Sequence, residues 1–224
     1  VLTIEKIFVM STNRALGEAD ILEKWRTSLE NVNNQPVVAQ EMAEIGYPKE
    51  VIDVGRGLYG VARSAFDANK KEGGEASAAS STFQKEEATL VKGYSQHRKK
   101  AKFVFRNDPI ALRVLDVHQP VSDSYIPRIE SIKKFYTVLS TDKTLSDAME
   151  TIKVPASEIS EGLAQVAIVE KARADYIREQ GEAMDAVAQK DAAFKEAEKW
   201  MRDFYAAARI ALEDRPMLYA TLFK

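Results

Sequence analysis

VIDVGRGLYGVARSAF, residues 51–66, sets Gly55, Gly57 and Gly60 in G-x-G-x-x-G spacing directly behind a short β-branched run. Two folds compete for this stretch. In a dinucleotide-binding unit, VIDV is a strand, the glycines form a tight turn, and the following helix holds a pyrophosphate at its N-terminus. Glu72 or Glu75 would then stand near the right distance for a ribose contact. In an all-helical protein the same glycines lie inside a helix, each costing about 1 kcal/mol of helix stability relative to alanine.

A second copy of the stretch decides between them. MAEIGYPKEVIDVG at 42–55 aligns with METIKVPASEISEG at 149–162, pairing Met42, Ile45, Pro48, Ile52 and Gly55 with Met149, Ile152, Pro155, Ile159 and Gly162. The same shift of 107 positions continues without a gap, bringing Gly74-Glu75-Ala76 onto Gly181-Glu182-Ala183 and Pro109 onto Pro216. A fixed-offset self-match of this kind is read as an internal tandem duplication. The counterpart of the glycine stretch is EISEGLAQVAIVEKA, a good helix, in which Gly57 and Gly60 become Ala164 and Ala167. Residues small in both copies predict a buried stripe for close helix–helix approach, and no phosphate turn.

The predicted fold is all-α: two similar antiparallel helical-bundle units, residues 1–117 and 118–224, packed separately or as one continuous bundle. A first helix is expected over about 15–33, with Ile21, Leu22, Trp25, Leu29 and Val32 at helical spacing, and its counterpart over about 123–140. Short second helices follow at about 37–46 and 144–153. Pro48 and Pro155 suit the first turn of a third helix, which the glycines at 73–74 or 181 would end; the alternative is that a single Gly181 does not break the helix and leaves a much longer rod, with the third and fourth helices continuous. A fourth is expected over about 75–107 and 182–214, stopped before Pro109 and Pro216. Its seam is clearest in the second copy, Phe194, Ala197, Met201, Phe204, Ala208 and Ala211. In the first copy the seam becomes Glu87, Leu90, Tyr94, His97, Ala101 and Val104, with Glu87 the misfit. DVHQPVSDSY, 116–125, joins the copies.

Composition fits a soluble globular protein: 45% hydrophobic, 29% charged, net charge −2 and no cysteine. Thiolate metal sites, thiol nucleophiles and disulfides are thereby excluded. VLTIEKIFVM at the start carries Glu5 and Lys6 within its apolar run, unlike a secretory signal. No apolar stretch has the length of a transmembrane helix. A cytoplasmic location is expected.

Catalytic and cofactor signatures are missing. There is no G-x-x-x-x-G-K-[ST], G-x-S-x-G or H-E-x-x-H. A carboxylate-bridged di-iron bundle needs Glu-x-x-His pairs, but Tyr94 and Leu115 precede His97 and His118 at that spacing. No catalytic residue, cofactor or metal is therefore assigned. His97, at the seam position matched by Phe204, is read as a hydrogen-bonded half-buried histidine, with a titrating switch as the competing reading.

Two surfaces remain. KGYSQHRKKAKFVFR, 92–106, contains no acidic residue, and Lys92, Arg98, Lys99, Lys102 and Arg106 share one side of a helical wheel with Phe103. Lys100 adds to the charge of this stretch. Such a stripe serves a solvated face, an acidic partner or phosphates. Trp200, Tyr205, Ile210 and Leu212 lie off the main seam of the last helix and mark a second buried face, against the other repeat or another chain. The leading expectation is a non-enzymatic helical-bundle protein working by self-association or protein docking. Nucleic-acid binding through 92–106 is the first alternative. A small-ligand binder, or an enzyme without a local motif, is the second.

Overall fold

A computed structural model describes residues 17–223, and every regular element in that range is helical. The apolar N-terminal run and the first residues of the predicted opening helix lie outside the described residues. The order is α1 (Glu18–Asn34), α2 (Pro36–Glu44), α3 (Lys49–Val104), α4 (Pro109–Val114), α5 (Tyr125–Thr141), α6 (Lys143–Glu150), α7 (Ala156–Ala211) and α8 (Pro216–Thr221). VIDV is therefore helix, and the dinucleotide reading fails for want of a strand. The helices recur with the sequence shift: starts at 18 and 125, 36 and 143, 49 and 156, 109 and 216 are each separated by 107 positions. Gly46 and Lys153, one shift apart, both take left-handed backbone in the turn before a long helix, with φ of 91° and 61°.

Helix starts follow local chemistry. Asp108 accepts hydrogen bonds from the N–H groups of Ile110 and Ala111, and Asp142 from those of Thr144 and Leu145. Both are side-chain N-caps satisfying donors that the first turn leaves unpaired. The carbonyls of Pro48 and Pro155 accept the first bonds of α3 and α7.

The largest departure from expectation is helix length. The predicted breaks at Gly73-Gly74 and at Gly181 do not occur; α3 and α7 are each continuous over 56 residues. A glycine ends a helix by adopting left-handed backbone, and Gly46 is the one glycine with positive φ among the described residues. Lys, Glu and Ala flank the interior glycines and carry the helix through at about 1 kcal/mol per glycine. Conversely, Pro109 and Pro216, read as stops, also open the short helices α4 and α8.

The chain folds into two compact units. Unit 1 holds the described residues up to Lys71 together with those from Asp185 onward, and unit 2 holds Glu72–Met184. Both halves of the sequence, 1–117 and 118–224, therefore contribute to both units. In unit 1, α1, α2 and the start of α3 pack against the end of α7 and α8. Leu22, Trp25, Met42, Phe66, Phe204 and Leu222 are among the core residues. In unit 2, α5, α6 and the start of α7 pack against the end of α3 and α4 around Tyr94, Leu115, Phe135, Tyr136, Met149 and Ile159. Within each unit the long-helix segments run antiparallel: Gly55 meets Trp200 and Phe66 meets Phe194 in unit 1, while Phe83 meets Tyr176 and His97 meets Glu158 in unit 2.

The first glycine of the opening motif has a definite task. A Cβ on Gly55 would collide with the Trp200 ring, and one on Gly162 with the ring of Tyr136. Each glycine lets an aromatic face lie directly on a helix backbone. Gly57 and Gly60, by contrast, would meet nothing within 4 Å, so the buried small-residue stripe reduces to Gly55 alone. Gly55→Ala is expected to lose about 1–3 kcal/mol to overpacking, against about 1 kcal/mol gained in helix propensity. Gly57→Ala and Gly60→Ala have only the gain. Thermal melts should place Gly55→Ala below the parent and the other two at or above it.

Candidate functional site

The stretch 92–106 forms the last turns of α3 and the first two residues of the turn after it, and its three sides have different roles. The inner side, Leu90, Tyr94, His97 and Ala101, is buried in unit 2. Two cations on the flanks are consumed by the protein itself. Arg98 donates to the carbonyls of Val117 and Gln119, and Lys100 donates to the carbonyl of Lys153 at 2.8 Å. Arg98, expected on the interaction stripe, thus fastens the segment after α4. The outer side keeps Lys92, Lys99, Lys102, Phe103 and Arg106 exposed, as the wheel suggested. The Arg106 guanidinium lies 4.8 Å from the centroid of the Phe103 ring and donates to the Phe103 carbonyl.

Helix α4 exposes further apolar side chains, which the sequence reading missed. Ile110 is 73% exposed and Phe103 62%, with Val114 and Arg113 also open to solvent. The usable signal was Asp108-Pro109, an N-cap followed by proline at the first helical position, which announces a new helix. Among the described residues no carboxylate pairs with Lys92, Lys99, Lys102, Arg106 or Arg113. One shift of 107 away, unit 1 exposes Ile210 at 67% and Met217 at 78%, the counterparts of Phe103 and Ile110. The cations recur there only in part: Lys92 and Lys102 correspond to Lys199 and Arg209, but Lys99, Arg106 and Arg113 correspond to Ala206, Glu213 and Ala220.

Behind the patch lies a buried polar network. His97 Nε2 is 2.9 Å from the Glu158 carboxylate and Nδ1 is 3.0 Å from the Tyr136 hydroxyl. With Nε2–H donating to Glu158, Nδ1 accepts the phenolic proton, so every group has a partner. This matches the hydrogen-bonded reading of His97. Tyr136 rests on Gly162 and is almost wholly inaccessible, which leaves its hydroxyl no route to a substrate. Burial, then the neighbouring Tyr94 and Glu158, push the Tyr136 phenol well above the ordinary tyrosine range. The misfit Glu87 is resolved in the same unit: it pairs with Arg128 of α5 at 2.5 Å, both side chains only 20% exposed.

Of the second predicted face, Leu212 is core, and Trp200 stacks on Phe204 above Gly55. Tyr205 shares a 3.0 Å hydrogen bond with Ser28. These three are satisfied within unit 1, against α1, α3 and α7's own neighbours, and Ile210 alone stays free. Among the described residues, Glu72, Glu179 and Glu182 bring carboxylate oxygens within 4.8 Å of one another, but Arg178 already bonds Glu179 and Glu182. No helix among the described residues is long and apolar enough to cross a membrane. No family model, curated protein or solved structure matches the chain.

The buried phenols set an alkaline limit. Tyr136, Tyr94 and Tyr205 have folded-state values raised mainly by burial, above the ordinary 10.0. Their contribution is complete below that value and is lost as pH climbs through it, because the unfolded chain ionises first. Denaturant midpoints are expected to hold from pH 8 to about 10 and then fall. Tyr136→Phe should flatten part of that fall.

Proposed function

We propose that the protein is a non-enzymatic helical-bundle protein that docks a partner protein through the outer face of α3 and α4. The observation that carries this reading is the exposure of Phe103 and Ile110 on a stretch that also exposes Lys99, Lys102, Arg106 and Arg113, cations in no ion pair among the described residues. Large apolar side chains left in water are costly, and an aromatic ring stacked with arginine is a common binding anchor. The complementary partner is an acidic segment that carries apolar residues, since opposite charge steers the encounter and burial holds it. The reading includes the cytoplasmic location and the internal duplication, the latter supported by the four helix pairs that start 107 positions apart.

Nucleic-acid binding keeps a narrower footing. Lys92, Lys99 and Lys102 remain open to phosphates, while Arg98 and Lys100 are spent on internal carbonyls. The exposed ring and aliphatic side chains favour protein.

Selection of a displayed random peptide library on the protein separates these readings. Enriched peptides should be rich in Asp, Glu and apolar residues. Phe103→Ser with Ile110→Ser should weaken the selected peptides by about tenfold or more at unchanged melting temperature. Peptide binding indifferent to those substitutions would overturn the proposal. Retention on DNA or RNA that collapses with salt would instead favour the alternative.

A further inference from the structure

A second, independent feature lies in unit 1. Lys24 of α1, Tyr205 and Arg209 of α7, Tyr219 of α8 and the following Phe223 line an open cavity of about 500 Å³. We propose that this cavity binds a small planar aromatic anion. Its size falls within the range of small-molecule sites. Three rings form its walls: the Tyr205 and Phe223 centroids are 5.1 Å apart, and Tyr219 stands edge-on to Phe223 at 5.0 Å. The Tyr205 wall is fixed from behind, because its hydroxyl meets Ser28, whose own hydroxyl donates to the Leu222 carbonyl at 2.7 Å.

The charge in this cavity is one-sided. Lys24 Nζ lies 5.2 Å from the Tyr205 centroid and 5.1 Å from that of Phe223. Among the described residues neither Lys24 nor Arg209 has a carboxylate partner. Nearby cations do: Arg26 holds Glu23 and Glu30, and Arg215 holds Glu41. Lys24 over the rings and Arg209 beside them, neither in an ion pair, suit a ligand with a flat apolar body and an anionic head.

Unit 2 gives the internal comparison. One shift of 107 relates Lys24 to Ser131, Tyr205 to Arg98 and Phe223 to Asp116. There Ser131 donates to the Asp116 carboxylate at 2.6 Å, and Arg98 binds the carbonyls of Val117 and Gln119. That place is therefore closed by the chain and supplies its own anion. In unit 1 the anion is missing, the cations are present, and the walls are rings.

Calorimetric titration with 2-naphthoate tests this directly, with 2-naphthalenemethanol as the uncharged analogue and 2-naphthyl phosphate as the alternative head group. One saturable site is expected for at least one anion, with perturbed Tyr219 and Phe223 ring resonances. The alcohol should bind about tenfold more weakly or worse, and Lys24→Gln and Arg209→Gln should each cost about tenfold. Both variants lie at the surface and should keep the parent melting temperature. The preferred anion identifies the head group. The proposal is overturned if neither anion saturates by about 5 mM, above the weakest affinity such a site gives, if the alcohol binds as well, or if the variants bind unchanged. Loss of peptide docking through Phe103 and Ile110 leaves this result unaffected.

Discussion

An aromatic ring packed directly against a helix backbone, with room only over glycine, is the constraint on which the structure rests. Trp200 occupies Gly55 in unit 1 and Tyr136 occupies Gly162 in unit 2. The two glycines are one shift of 107 apart, yet their rings come from different places: α7 in one unit and α5 in the other. Each contact fixes the height at which its helices meet, because sliding by one residue would place a Cβ where the ring must lie. Around each seat the remaining core assembles at helical spacing, with Phe204 and Tyr47 beside Trp200 and Phe135 beside Tyr136.

The two units differ in where they place their polar groups. Unit 2 buries a histidine between a phenol and a carboxylate and an ion pair between Glu87 and Arg128. Unit 1 places Phe204 and Phe194 at the positions of His97 and Glu87, and its own buried polar groups are Ser28, bonded to Tyr205 and the Leu222 carbonyl, and Lys190, paired with Glu18 and Asp191. Burying a charge requires a partner, and in unit 2 Glu87 meets Arg128 while His97 meets Glu158 and Tyr136. Apolar rings need no such pairing. Among the described residues Lys24 and Arg209 of unit 1 are in no ion pair, and unit 2 exposes Lys99, Lys102 and Arg106 near Phe103 in the sequence.

The sequence made the helices legible because periodicity and the repeated offset reported the same boundaries twice. It misled at Gly73, Gly74 and Gly181, where glycine resembles a stop unless its backbone angle is known, and at Pro109, where a stop is also a start. Exchange of segments between the halves was hidden. Both halves carry similar helix-forming residues, and nothing in a helical wheel says which seam meets which. The patch was half visible. Exposure of Lys92, Lys99, Lys102, Phe103 and Arg106 follows from the wheel, but the duty of Arg98 depends on carbonyls at 117 and 119 that no local pattern announces. Ile110 escaped with the helix that carries it.

The central claim is that each folded unit requires both halves of the chain. A protease site inserted between Val121 and Ser122, in the segment joining α4 to α5, tests it in the intact protein. After complete cleavage the two fragments should stay together through native gel filtration and melt as one assembly close to the uncut temperature. Fragments that separate into two folded monomers, each with its own cooperative melt, would contradict it.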